Sequence, residues 1–415
     1  MPSIQVLALT SMFAFPAAAL ALGQVHVVDA SGAPGAFTDL QEAIFAAQDG
    51  DLILVEDGTY SSFTISAKGL TIVADTGAAP VVVGRAEISG TAAGQDILIR
   101  GLELRTPLFE PGSSVTSTLG TVEWVDCVIR NGNIGQGFAP EGLALTDCAQ
   151  VVFAGCELRG SPAGFPGAGS GLESFNAFVQ AYDSLFQGAQ GALGELGHGG
   201  HGARVTGGVL FASGCTFAPG DGGNGVTIST QFMTKCKDAG DGGSGILLEP
   251  SATIPVPAFL ALDCTFGAGD FGKATLATCV DGVPGQEIEL LAGVHLPLPG
   301  TARSSVASSP VRFGGQVQLD LTGEGGDLVL LAVALGPGSV PLAGELDPFV
   351  VDPITSVFTL LGALPASGEQ TFSFPVASVP GAAGVNLWLQ GLYLSTGLEL
   401  FLGAPSATSL IPASF

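Results

Sequence analysis

Three groups of side chains in this sequence have the types and spacing to do chemistry. The first is a charged strip. Arg105, Arg130 and Arg159 each stand three residues after the centre of a repeated segment, in a chain with only eight arginines. Asp126 and Asp183 each stand one residue before such a centre. Guanidinium groups at one register can grip the carboxylates of an anionic sugar chain by bidentate bonds. Two carboxylates can serve as acid and base on a glycosidic bond when they lie about 5–9.5 Å apart. Asp126 and Asp183 are equivalents two coils apart, about 10 Å, slightly long for that task. The simpler reading of the strip is a solvated set of ion pairs in which Glu103 and Glu157 neutralise the arginines.

The second group sits in glycine loops. Gly197-His198-Gly199-Gly200-His201-Gly202 aligns with Gly220-Asp221-Gly222-Gly223-Asn224-Gly225 and with Gly240-Asp241-Gly242-Gly243-Ser244-Gly245. Stacked on one another, His198, Asp221 and Asp241 would form one column, and His201, Asn224 and Ser244 a second. Imidazole with carboxylate can hold a transition metal, and carboxylate with carbonyl oxygens suits Ca²⁺. The pattern departs from calcium-roll repeats, because Thr227 stands where an Asp is needed. The favoured expectation is compact turns in which glycine supplies φ > 0.

The third group is the cysteines, seven in all. Cys127, Cys156, Cys215 and Cys264 share the repeat centre, with Leu102 and Ser184 as equivalents. Neighbours one coil apart would lie about 4.8 Å apart, close enough for a Cys127–Cys156 disulfide. The expectation is an unbonded ladder of small buried side chains. No pair has Cys-x-x-Cys metal spacing.

The elements that must position these groups are legible as an internal repeat. Six segments share an apolar residue five before the centre, another three before it and a third two after it. They are Ile97-Ile99-Leu102-Leu104, Val122-Trp124-Cys127-Ile129, Val151-Phe153-Cys156-Leu158, Val179-Ala181-Ser184-Phe186, Leu210-Ala212-Cys215-Phe217 and Phe259-Ala261-Cys264-Phe266. Successive centres are 25, 29, 28, 31 and 49 residues apart, and Cys236 in the long gap marks a degenerate further copy. Side chains two apart share one face of a strand. The step of three predicts a bend or bulge that resets the inward face. A period of about 28 residues fits one coil of a β-solenoid, whose stacking buries a column that no single coil could.

The open end of such a stack needs a cap. Residues 37–48 predict an amphipathic helix with a Thr38/Gln41 capping box and an apolar stripe of Leu40, Ala43, Ile44 and Ala47. The stretch from Phe37 to Tyr60, with T-D-L-Q-E-A-I and D-G-D-L-I-L-V-E-D-G-T-Y, resembles the N-terminal cap and first coil of secreted right-handed parallel β-helix proteins of the pectate-lyase-like superfamily. The later coils are similar to those of exported β-helix proteins abundant in planctomycetes. The resemblance covers roughly residues 24–300. It implies the fold; that fold hosts polysaccharide lyases, glycosidases, esterases, tailspikes and adhesins, so function must come from sites.

Ile4 to Leu22 is almost wholly apolar and ends in small residues, which predicts a secretory leader spanning 1–23, with no transmembrane segment left in the mature chain. The expected order is leader 1–23, β-helix 24–296, linker 297–310 and a C-terminal β-sandwich 311–415, the last from about seven short strands with turn signals. Acids outnumber bases 37 to 12, for a net charge of −25. That balance excludes a basic nucleic-acid interface. The hydrophobic share of 47% excludes a disordered chain. The expected function is an exported structural, adhesive or glycan-binding protein that meets extracellular polysaccharide or a cell surface. The rival is a lyase or glycosidase on an anionic polysaccharide, using the arginines with Asp126 and Asp183. A third reading is fibre assembly by end-to-end stacking.

Overall fold

The computed structural model describes residues 23–107, 110–132, 140–162, 167–193, 197–230, 233–254, 256–275, 279–341, 348–377 and 384–415. Apart from Gly23, the expected leader lies outside the described residues. The chain is all-β, a right-handed parallel β-helix followed by an antiparallel β-sandwich.

Each complete coil contributes three strands. The first strands build a ten-stranded parallel sheet, face A, which runs from Val25–Val28 and Leu52–Val55 through Ile97–Arg100 and Thr121–Val125 to Val294–Leu298. The second strands, such as Glu103–Thr106, Val128–Asn131 and Glu157–Arg159, build face B. The third strands, such as Leu143–Thr146, Leu172–Phe175, Ala203–Thr206 and Ile246–Glu249, build face C. Faces B and C form one sheet because the early strands Thr59–Ser66 and Val81–Ser89 run through both. Later coils break at that point and extend into loops.

The step of three in the repeat is a corner between faces A and B rather than a bulge. The residue before each centre is left-handed: Gly101, Asp126, Gly155, Asp183, Gly214 and Asp263 all have φ between 47° and 74°. Gly and Asp alternate there for a packing reason. A Cβ at Gly155 would lie 2.8 Å from Asp126 Oδ1, and one at Gly214 would lie 2.4 Å from Asp183 Oδ1. Each aspartate leans over the space the next glycine leaves open, and Asp, with its short polar side chain, tolerates this backbone region better than most non-glycine residues.

Inside the corner stand the repeat centres. Cys127, Cys156 and Cys215 are buried, Cys264 is partly exposed, and all four are free thiols. The unbonded ladder is therefore the observed state, and no Cys127–Cys156 bond is present. Cys236 does not centre a coil: it lies on the antiparallel hairpin Val226–Thr230/Met233–Lys237. Cys279 is disulfide-bonded.

The cap is the helix Leu40–Ala46, with Leu40, Ala43 and Ile44 buried against the first coil. Its N-cap is Asp39, one residue later than expected; the Asp39 carboxylate accepts the Gln41 N–H at 3.0 Å. Thr38 turns instead toward Glu42.

The sandwich packs along face A. Leu98, Val125 and Ala154 of face A share an apolar cluster with Ala332, Phe349, Val351 and Ala407. Val152, Tyr182 and Phe211 do the same with Val350 and Ala404. Face A is thus covered on both sides, which explains unbroken apolar runs such as Leu-Ile-Leu-Val at Leu52–Val55. The segment read as a linker, 297–310, is structured at both ends: Pro297 and Leu298 finish the last strand of face A, and Ser304–Ala307 opens the sandwich.

Candidate functional site

Face B carries the arginines. Cα register places Arg105 beside Arg130 and Arg130 beside Arg159, with Glu103, Val128 and Glu157 forming the neighbouring column. The arginines stand in one row because side chains two apart along a strand share a face and parallel coils repeat in register. Their guanidinium groups are already engaged. Arg105 Nε lies 2.7 Å from Glu103 Oε1, Arg130 Nη2 lies 3.2 Å from Glu157 Oε1, and Arg159 also pairs with Glu157. The Arg105 hydrogen bonds hold the Glu103 carboxyl below its ordinary value. The column is a ladder of mutual ion pairs along the outer surface.

Asp126 and Asp183 stand on the A/B corner and serve different neighbours. Asp126 pairs with Arg100 at 2.8 Å. The nearly buried Arg100 guanidinium also donates to the carbonyls of Ala307 and Ala407 in the sandwich. Asp126 is therefore part of the domain junction. Burial, with Asp263 beside it, pushes the Asp183 carboxyl up to about 6. The structure does not turn these two aspartates together toward the arginine column.

The glycine loops overturn their expected conformation. Among the described residues, no glycine of the three aligned loops has positive φ. They are extended segments laid side by side, and their hydrogen bonds recur every third residue. Gly220 and Gly223 donate to Gly200 and Gly197; Gly243 and Gly240 donate to Gly220 and Gly223; Gly269 and Gly272 donate to Gly243 and Gly240, all at 2.7–2.9 Å. Within one layer, Gly199 and Gly202 donate to Asp241 and Ser244, and Gly242 and Gly245 donate to Val283 and Gln286. A step of three is the period of polyproline II, which has no internal hydrogen bonds and must find them sideways. The loops form a two-layered bundle of such helices at the B/C edge. Glycine is required for closeness: a Cβ at Gly223 would lie 1.6 Å from Ala192 O, and one at Gly285 would lie 1.8 Å from Gly243 O.

This geometry separates the proposed metal ligands. His198 and Asp241 share one layer, where the Asp241 N–H donates to His198 Nδ1 at 3.1 Å. His201 Nδ1 accepts the Ser244 N–H at 2.9 Å, and burial lowers its pKa. Asp221 and Asn224 lie in the other layer, accepting the N–H groups of Asp270 and Lys273. Each side chain satisfies an outward N–H of the next coil. Among the described residues, no group of three or more His, Cys, Asp or Glu is placed to hold a metal.

The repeat pattern missed the acids of face C. Register aligns Glu173 with Arg204, and Arg204 reaches Glu173 at 3.5 Å and Glu249 at 2.7 Å. Glu141 accepts the Ser170 N–H at 2.5 Å and is hydrogen-bonded to Glu173. Burial, with Glu173 adding, pushes Glu141 up to about 8. A carboxylic acid that keeps its proton at neutral pH thus lies beside a second carboxyl. The sequence signal was weak because the B-to-C loops differ in length in every coil, so the third strands fall out of register with the repeat.

Among the described residues, no helix is long and apolar enough to cross a membrane. No protein-family model matches this chain, and no curated protein matches it.

Proposed function

We propose that this is an exported, non-catalytic β-helix protein that acts as a structural, adhesive or glycan-binding element outside the cell or at its surface. The apolar leader at 1–23 and the resemblance of the cap to secreted pectate-lyase-like proteins support export. The observation that carries the non-catalytic part is the arginine ladder. Each of Arg105, Arg130 and Arg159 is already bound to Glu103 or Glu157, so a uronate would have to displace intramolecular carboxylates. The sandwich covers the middle of face A, which leaves the outer surfaces of B, C and the glycine bundle, and the cleft at the sandwich's edge, for contact with polysaccharide. A glycan array probed with residues 24–415 tests this reading. Saturable binding supports it; an array without any bound glycan removes its binding component.

One observation favours the rival hydrolase. Glu141 and Glu173 pair a protonated carboxyl with a second carboxyl, the division of labour that glycoside cleavage uses. On that reading Glu141 is the acid and the substrate lies across face C, not over the arginines. Loss of released reducing ends in Glu141→Gln, with the fold intact, would establish it.

The fibre reading is the least supported. The helix Leu40–Ala46 covers one end of the stack. At the other end, Val294 N donates back to Pro257 O, so by alternation the N of Pro297 faces the open edge. A proline there removes the outward donor that a further strand would need.

A further inference from the structure

We propose that the cleft between the first coils of the β-helix and the sandwich binds a saccharide, and that it selects neutral or amino sugars over uronates. This deepens the glycan-binding reading and rests on it. The cleft encloses about 240 Å³ and is lined by Asp49, Gln95 and Asp96 on one side and by Asn386 and Trp388 on the other. Pockets for drug-sized ligands run from about 300 to 1,000 Å³, so this one suits a single sugar ring or the end of a chain.

The wall chemistry selects the ligand. Asp49 is oriented by two donors, the Gly69 N–H and the Gln95 side-chain amide, both at 2.9 Å. Asp96 Oδ1 accepts the Thr121 N–H at 2.8 Å. Among the described residues neither carboxylate forms an ion pair, and no lysine or arginine lines the cleft. Carboxylates and side-chain amides with spare lone pairs accept hydroxyl and ammonium hydrogens. The same two negative charges repel a uronate carboxylate, as does a chain of net charge −25.

Trp388 supplies the apolar part. Its indole N–H donates inward to the buried Glu123 carboxyl group at 2.6 Å. That bond and its packing beside Leu98, Val125 and Ala154 fix the ring, which is only 7% exposed and gives the cleft a small apolar border. Asn386 is fixed in the same way, by Thr71 and Ser409. A wall held by its own hydrogen bonds loses little entropy on binding. Because both domains contribute, the site exists only while the sandwich is docked.

The chain has two tryptophans. Trp124 is fully buried in the β-helix core, and Trp388 lines the cleft. Tryptophan fluorescence of residues 24–415 can therefore be titrated with glucose, glucosamine and galacturonate. The expected result is a saturable change with glucose or glucosamine, at about millimolar dissociation constants for one ring, and none with galacturonate. Asp96→Asn and Asp49→Asn, both isosteric, should each weaken binding about tenfold while leaving the unliganded emission spectrum unchanged. Binding of galacturonate with equal strength overturns the proposal, as does undiminished binding by both variants. Array binding without a tryptophan response overturns this site and leaves the glycan-binding reading standing. Silence in both assays overturns both.

Discussion

Glu123 gives the most demanding prediction. It is fully buried between face A and the sandwich, accepts the Trp388 N–H at 2.6 Å, and is pushed up to about 7 by burial against an ordinary value of 4.5. The native state therefore holds this proton where the unfolded chain has released it. The sign follows from linkage: the contribution is fully present below about pH 4.5 and is lost as pH rises through about 7. Each tenfold change is worth about 1.4 kcal/mol, so the gap between 4.5 and about 7 comes to about 3 kcal/mol. Glu123→Gln keeps a carbonyl oxygen for Trp388 and never ionises. The variant should match the wild type near pH 4 and exceed it by about 3 kcal/mol at pH 8. Urea unfolding, followed by tryptophan emission across that range, measures the difference directly. A difference between the two proteins that does not change with pH would refute the reasoning. Asp183, pushed up to about 6, and Glu141, to about 8, tilt both proteins the same way, so each should be most stable in mild acid.

Three further outcomes are expected. Gly223→Ala drives a methyl into Ala192 O and should lower the thermal midpoint sharply, whereas Gly167→Ala, with open space around it, should not; equal midpoints would dissolve the close-packed bundle. Arg130→Ala removes a half-exposed ion pair and should change stability by less than about 1 kcal/mol, with a larger loss in urea unfolding marking a structural role this account does not give it. Cys215 and Cys264 are neighbours in register, and the hydrogen bond from Cys215 pulls the partly exposed Cys264 thiol down. Cys264 should therefore attack glutathione disulfide, releasing one glutathione thiol and forming a mixed disulfide, from which Cys215 displaces the second glutathione thiol, leaving those two residues cross-linked in a peptide map; a map in which both stay reduced counts against that pairing.

What could be read from the sequence follows from which distances stay constant. The A strand, the corner and the B strand keep one length in every coil, so centres such as Cys127 and Cys156, the inward Trp124 and the arginine column were all legible. The third strands were not, because the loop before each one changes length, and the Glu141–Glu173 pair went with them. The glycine loops showed their Gly-x-Gly-Gly-x-Gly spacing plainly. Their conformation was misjudged because glycine serves two ends, positive φ and close approach, and only the neighbouring segments decide between them. Arg100 and Glu123 show the same limit. The repeat gave no sign that face A is covered on both sides, and pairing Glu123 with Trp388, 265 residues away, needs the docked sandwich.

The central claim is that the surface arginines hold the scaffold's own glutamates and do not act on a polyuronate. Absorbance of unsaturated uronate, followed while residues 24–415 are incubated with polygalacturonate and with alginate, tests it most directly, with and without Ca²⁺. The account predicts no release above the no-protein control. Release that is abolished by Arg130→Ala would contradict it.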